Sequence, residues 1–261
     1  MRVSVIITTY NRHDALLFVL QSIERQTKIP EEVIIADDGS DANTEKLITN
    51  YQESSSLNII HSWQEDKGFR AAKSRNKAIA ISNFEYIVLV DGDMILHPKF
   101  IQDHLDNAEP GYFIQGTRVL LTQKRTQQAL NNSTGNFSFL SRGIRNRKNA
   151  IHSNYFSKLL SKKKNYIQGI KTCNMSFYKE DCLNINGFNN DFEGWGREDS
   201  EFSVRIINSG VNRKNVRFNL IQFHLWHVEN TRDFLDQNNA ILQDAIDNHL
   251  KWCDNGINKY L

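Results

Sequence analysis

The sequence predicts an α/β protein built on one mostly parallel sheet with helices on both faces. Three observations carry this expectation. Short apolar runs rich in β-branched residues (Val3-Ser4-Val5-Ile6-Ile7, Val33-Ile34-Ile35-Ala36, Ile87-Val88-Leu89-Val90) read as buried strands. Segments between them repeat apolar residues at helical spacing, and such strand–helix alternation with short loops builds parallel sheets. Two of the runs stop abruptly in acids, Asp37-Asp38-Gly39 and Asp91-Gly92-Asp93, at the strand ends where open α/β sheets collect ligands.

In chain order, Val3 to Thr8 forms the first strand and Thr9-Tyr10-Asn11-Arg12 a polar loop at its carboxyl end. Asp14 to Gln26 is a helix with Leu16, Leu17, Leu20 and Ile23 on one face, and Pro30 closes the unit. The second strand, Val33 to Ala36, precedes a helix that buries Leu47 and Ile48. Leu57 to Ile60 is the third strand, and a helix opening near Gly68-Phe69-Arg70 runs to about Ile81. The strand ending at Asp91 follows. Asn174 to Tyr178 reads as a strand, Lys179 to Asn186 as a short helix closed by Gly187, and Phe202, Val204, Ile206 and Ile207 as one face of a helix that stops at Gly210. Val216 to His227 is the last strand region. Thr231 to Cys253 is a C-terminal helix with Phe234, Leu235, Ile241, Leu242, Ile246 and Leu250 inward. The expected organisation is an α/β part over 1–110, a basic helical excursion over 111–172, and a final part over 173–261, all in one continuous domain.

Asp91 and Asp93 sit at the tip of a buried strand, where two carboxylates repel and are costly to desolvate unless a cation lies between them. Gly92 lets the backbone turn so that both can converge on one point. A hard divalent metal carrying a diphosphate fits such a site. Asp-Gly is equally common in solvated turns, so the motif alone supports either reading. No G-x-G-x-x-G follows the first strand and no Walker A loop is present, so a bound nucleotide would be held by side chains.

Bulk properties narrow the classes. The net charge of +2 gives no case for nucleic acid as a partner. Three cysteines, Cys173, Cys182 and Cys253, without C-x-x-C spacing, argue against a disulfide frame or a zinc site and for a reducing compartment. Val3 to Ile7 is too short for a signal peptide, and no apolar run reaches transmembrane length. The expectation is a cytoplasmic protein, peripheral on the inner face of the membrane. That last expectation rests on 142–164. Between Glu109 and Glu180 there is no acid, while basic residues crowd into Arg142 to Lys148 and Lys158 to Lys164. Tyr155, Phe156, Leu159 and Leu160 beside Lys158 and Lys162 fit a short interfacial helix facing anionic lipid or a phosphorylated acceptor; a solvated face is the plainer reading.

Toward the C-terminus, Gly194-Trp195-Gly196 suits a loop able to close over a ligand, and Glu198 and Asp199 open the following helix. Acids in a first helical turn also complement the macrodipole, which accounts for them but not for a tryptophan between glycines. His224 and His227 raise the case for metal ligation beside an Asp-x-Asp. In an extended strand their spacing points them to opposite faces, so both could ligate only across a bend.

Taken together, Val3-Ser4-Val5-Ile6-Ile7-Thr8-Thr9-Tyr10-Asn11, Ile35-Ala36-Asp37-Asp38-Gly39-Ser40 and Val90-Asp91-Gly92-Asp93 resemble the family 2 glycosyltransferases of GT-A fold. Asn174-Met175-Ser176, Gly187-Phe188 and Gly194-Trp195-Gly196-Arg197-Glu198-Asp199 resemble the galactosyltransferase-type C-terminal segment shared by β-1,4-galactosyltransferases and bacterial chondroitin-type polymerases. The resemblance covers most of 1–110 and 170–230; the basic segment between them matches neither. It implies a GT-A nucleotide-binding part followed by an acceptor-binding part. Thr8 and Tyr10 would floor the nucleotide site, Asp38 would accept from uracil N3–H, and Arg75 would contact the nucleotide-sugar. Asp93 would ligate the metal, with Asp91 nearer the ribose. His227 matches a metal-binding histidine, and His224 falls where the galactosyltransferases place a methionine ligand. Asp199 matches the catalytic base and Glu198 the acid that binds the acceptor sugar, with Trp195 and Asn174 on the acceptor side.

The implied activity is inverting, metal-dependent transfer of a hexose or N-acetylhexosamine from a UDP-sugar to a glycan or lipid-linked acceptor in surface polysaccharide synthesis. The mixed carboxylate and imidazole ligands suit Mn²⁺ better than Mg²⁺. Two rivals are a non-catalytic nucleotide-sugar or carbohydrate-binding module, which needs no base, and a sugar nucleotidyltransferase, which would want a Gly-rich signature and a lysine near the N-terminus.

Overall fold

A computed structural model describes residues 1–132, 135–228 and 231–261. The chain opens with β1 (Val3–Thr9), α1 (His13–Glu24), β2 (Glu32–Asp37), α2 (Ala42–Ser54), β3 (Ile59–Trp63), α3 (Ala71–Ile81) and β4 (Tyr86–Asp91). It continues through β5 (Met94–Leu96), α4 (Phe100–Asn107), β6 (Tyr112–Gln115), β7 (Val119–Leu121), α5 (Gln123–Asn131), β8 (Ile144–Arg145), α6 (Asn154–Leu160) and β9 (Lys162–Lys163). The last elements are β10 (Asn174–Tyr178), α7 (Lys179–Leu183), α8 (Glu198–Asn208), β11 (Asn212–Asn215), β12 (Gln222–His224) and α9 (Leu235–Asp247). Among the described residues the strands form an eight-stranded sheet, ordered β3-β2-β1-β4-β10-β6-β11-β9, and a four-stranded sheet, ordered β5-β12-β7-β8.

The parallel core is set by alternation. Successive strand side chains point to opposite faces. Val3, Val5, Ile7, Val33, Ile35, Val88 and Val90 pack with Leu16 and Leu20 of α1 and Ile48 of α2. Ile6, Ile34, Ile87 and Leu89 pack on the other face with Ala78 and Ile79 of α3 and Phe202 and Ile206 of α8. Both faces are covered, which is why these strands read as unbroken apolar runs. The expected α/β fold with helices on both faces is the observed one. β10 enters antiparallel beside β4, and β6 is antiparallel to β10, so β6 and its parallel neighbour β11 point the same way as β4.

Several boundaries differ from the sequence expectation for identifiable reasons. β3 runs on to Trp63 rather than stopping at Ile60, because it is a sheet edge whose half-exposed side tolerates His61 and Ser62. The short helix ends at Leu183 rather than Asn186, as Asn186 and Gly187 turn left-handed and Gly187 N–H caps Cys182 O at 2.8 Å. Of the expected strand 216–227 only Gln222–His224 is extended, since Phe218 and Leu220 both take positive φ. The C-terminal helix spans Leu235–Asp247 rather than Thr231 to Cys253. Residues 111–172, expected as a basic excursion, are woven into both sheets: β6 carries the buried Phe113 and Ile114, and β7 and β8 build the small sheet. Among the described residues no helix is long and apolar enough to cross a membrane.

Candidate active site

The first three parallel strands and β4 end side by side, and their tips carry the polar residues. Parallel register places Thr8 beside Asp91 and Thr9 beside Asp37. Gly92 N–H then donates to Thr8 O at 2.8 Å, and a Cβ on Gly92 would meet Thr9 Oγ1 at 2.9 Å and Thr8 O at 3.1 Å. Only glycine lets the chain turn this close to β1. The turn sends Asp91 and Asp93 to different partners.

Asp93 faces the small sheet. Antiparallel pairing of β5 with β12 puts His224 opposite Met94, and Leu225 N–H donates to Asp93 O at 3.0 Å. β12 stops at His224, so the chain bends and His227 returns to the same side. Both Nε2 atoms approach Asp93 Oδ2, at 3.3 Å for His224 and 3.2 Å for His227. The bend that the histidine spacing required is present. One ligand atom from each of the three side chains lies within 4.8 Å of the others. Among the described residues Asp93 Oδ1 is buried without a hydrogen-bond partner, as a ligand oxygen for a cation would be. The set therefore fits a divalent ion taking mixed oxygen and nitrogen ligands. Burial alone would raise the Asp93 carboxyl, but the two histidines hold it well below the usual carboxylate range; the same bond raises His227.

Asp91 faces Arg75 of α3, and this side chain joins the site's two halves. Buried Arg75 donates from Nε to Thr8 Oγ1 at 3.2 Å and from one terminal nitrogen to Glu198 Oε1 at 3.1 Å; the other lies 3.7 Å from Asp91 Oδ1. Its guanidinium also rests 5.6 Å above the Phe188 ring centroid. Burial would lower its pKa, yet the charges of Glu198 and Asp91 outweigh that and raise it. Glu198 and Asp199 reach this position because α8 is pinned from below. Arg205, fully buried, donates to both Glu201 carboxylate oxygens (2.6 and 2.8 Å) and to the carbonyls of Ile185 and Gly187. Burial first, and then the Glu198 charge, push Asp199 up to about 7.

Asp38 lies beyond β2, where it accepts from Gln64 Nε2 and from Arg70 N–H, both at 2.6 Å; burial nevertheless raises its carboxyl. Tyr10 is exposed and donates from its hydroxyl to Asp66 Oδ2 at 2.9 Å. Trp195 is also exposed, on the loop before α8, with the Arg232 guanidinium 5.2 Å from its ring centroid. Asn174 departs from its expected acceptor-side role. It is buried, and its Nδ2 donates to Thr117 O and Leu220 O, tying the two sheets together inside the molecule.

Gln64, Asp66 and the Arg70 amide are site-building groups that the sequence reading passed over. Gly39, at φ +97°, turns so tightly that a Cβ would lie 2.5 Å from Asp66 Cα, which locks the β2 tip against the β3 tip. The signal was available. Trp63-Gln64-Glu65-Asp66 repeats the pattern of a strand ending in acids, hidden because the apolar part of β3 stops early.

The geometry can be compared with known proteins. The chain matches the family model for glycosyl transferase family 2 over residues 4–183 and that for the N-terminal domain of galactosyltransferase over 155–228. It is 26% identical to Escherichia coli chondroitin synthase over 229 residues, covering 82% of this chain and 33% of that protein. The chain thus spans about a third of that relative's length. S. aureus TarS 1–349 in complex with UDP-GlcNAc superposes with a TM-score of 0.61 at 16% identity, covering 88% of this chain and 60% of that one. The mannosyltransferase PcManGT from Pyrobaculum calidifontis, in complex with GDP-Man and Mn²⁺, gives 0.57 at 19% identity, with 86% and 56% covered. These likenesses establish a GT-A-like fold, and the family model, which takes in most of the sequence including the tips of β1 to β4, establishes that the chain belongs to glycosyltransferase family 2.

Proposed function

We propose that the chain transfers a hexose or N-acetylhexosamine from a UDP-sugar to a glycan or lipid-linked acceptor, with inversion at the anomeric carbon. The observation that carries this reading is the Arg75 bridge. One guanidinium within reach of Asp91 and Glu198 brings a strand-tip acid and an acid of α8 to the same point, which supports reading them as one cleft. TarS, a neighbour in fold, is described in complex with UDP-GlcNAc, which supports a nucleotide-sugar donor here.

Asp38, already oriented by Gln64 and Arg70, accepts from the uracil N3–H, and Thr8 and Tyr10 floor the nucleotide site. Asp91 faces the ribose, and Arg75 meets the charge of the diphosphate. Asp93, His224 and His227 would hold a divalent cation, Mn²⁺ in preference to Mg²⁺. Bound there, the cation supplies Lewis-acid stabilisation of the leaving diphosphate. Trp195 offers an aromatic platform to a sugar face, and Glu198 hydrogen-bonds the acceptor. Asp199 takes the proton of the acceptor hydroxyl as its oxygen bonds to the anomeric carbon and the bond to UDP breaks on the opposite side. A single displacement with no enzyme nucleophile inverts that centre. Surface polysaccharide synthesis, at the cytoplasmic side of a membrane, is the setting this chemistry fits.

The test is release of UDP from a panel of UDP-sugars with Mn²⁺, with and without glycan acceptors. A binding module releases none, and a nucleotidyltransferase yields pyrophosphate only from a nucleoside triphosphate. Asp93→Ala should abolish the Mn²⁺-dependent part of UDP affinity in calorimetry. UDP affinity that is the same with and without Mn²⁺ in the unsubstituted protein would remove the metal assignment.

A further inference from the structure

The face of α6 has no part in the cleft, yet it exposes more apolar surface than a seven-residue surface helix needs to. Ser157 points inward and is buried, and Ser153 caps the helix by accepting from Phe156 N–H. Tyr155 and Leu159 are 74% and 65% exposed, with Phe156 and Leu160 exposed beside them. Phe156 sits against Phe218, at 5.7 Å between ring centroids, so the stripe is seated on the body of the protein. Around it lie Lys158, Lys162, Lys164 and Arg217, all exposed and without an acidic partner among the described residues. Lys163 differs, because Glu109 holds it at 2.6 Å.

Topology fixes where this patch stands. β11 runs parallel to β4, and antiparallel β9 sets Lys162 opposite Asn215, at the end of β11. The patch therefore lies at the same end of the large sheet as Asp91. With strands about 4.8 Å apart, the four steps from β4 to β9 put it roughly 20 Å to one side of the cleft.

We propose that α6 and its flanking lysines dock the protein reversibly on an anionic bilayer, tyrosine and leucine side chains entering the headgroup region while the lysines meet lipid phosphates. A soluble polyanion would satisfy the lysines and leave the apolar stripe in water. A second copy of the chain would cover the stripe but bring two sets of unpaired lysines face to face. A bilayer serves both. Docked this way, the protein holds its cleft beside the membrane surface, which favours acceptors that are carried on lipid; this consequence rests on the transferase reading, whereas the docking itself does not.

Sedimentation of the intact chain with phosphatidylcholine vesicles, with and without phosphatidylglycerol, tests the docking and needs no donor, metal or acceptor. Binding is expected only with phosphatidylglycerol and is expected to fall as salt rises. Replacing Lys158, Lys162 and Lys164 by Gln should lower partitioning on the order of 100-fold, at about fivefold per lysine. Tyr155→Ser with Leu159→Ser should also lower it, while leaving binding to inorganic polyphosphate unchanged. Melting temperatures matching the parent chain verify that these surface variants fold. Equal binding to both vesicle types, or salt-independent binding, would overturn the proposal. So would apolar variants that bind anionic vesicles as the parent does, or that halve the protein's mass in solution.

Discussion

Arg75 and Asp199 are the residues whose surroundings say most. Asp199 titrates at about 7 because burial and the adjacent Glu198 both disfavour its charge. A base must be ionised to work, so transfer is expected to fall as pH drops below about 7, approaching tenfold per unit on the acid side. The pH profile of kcat/KM for the acceptor reads this directly, and a flat profile between roughly pH 6 and 8 would take Asp199 out of the role. The sign for stability is opposite. Between about pH 4 and 7 the folded protein keeps a proton that the unfolded chain has lost, so this group's contribution weakens as pH rises through that window. Asp199→Asn should reduce turnover by roughly 10²–10⁴-fold while UDP-sugar binding stays close to that of the parent. At this scale the sequence was informative about identity and silent about partners. Asp91, Asp93, Glu198 and Asp199 stand out as acids at strand and helix ends, but nothing in their spacing shows that Arg75 lies between Asp91 and Glu198. That contact spans 123 residues of chain and depends on how α3 and α8 share one face of the sheet.

Among the elements, α8 carries Glu198 and Asp199 and is held by the buried Arg205–Glu201 pair. Removing one partner of such a pair strands an uncompensated charge, so Glu201→Gln or Arg205→Leu is expected to destabilise the fold by about 3–5 kcal/mol in urea denaturation. A loss below about 1 kcal/mol would mean that α8 is positioned by its apolar face alone. The parallel strands were legible because burial on both faces leaves a continuous apolar run. β3 and β12 were legible only in part: one is an edge, the other is cut short by two residues with positive φ. Asn174 was misread because a polar residue beside an active strand tip has two uses, and its amide serves the junction between sheets. Residues 111–172 were misread because their positive charge dominates the composition, while the few residues that place β6, Phe113 and Ile114, are outnumbered.

The molecule as a whole joins a mostly parallel sheet to a small one through the turn at Gly92, and the proposed cation site lies on that seam. Asp93 belongs to the first half of the chain, His224 and His227 to the last part, and Leu225 N–H is bonded to Asp93 O. Binding of Mn²⁺ to the folded state alone should raise the melting temperature, by an amount equivalent to about 2.7 kcal/mol at a hundredfold excess over Kd. Hydrogen exchange at Leu225 should slow when Mn²⁺ is added and should ignore the ion in Asp93→Ala; equal slowing in both would place the ion elsewhere. The sheet order was not legible from sequence, since nothing in β12 announces that β5 is its neighbour. That pairing has a consequence for how the protein matures. Asp93 is synthesised well before His224 and His227, so the three side chains can come together only after the later stretch has been made. An ion held by all three would fasten two distant stretches of chain to each other, and its capture would report that β5 and β12 had already paired.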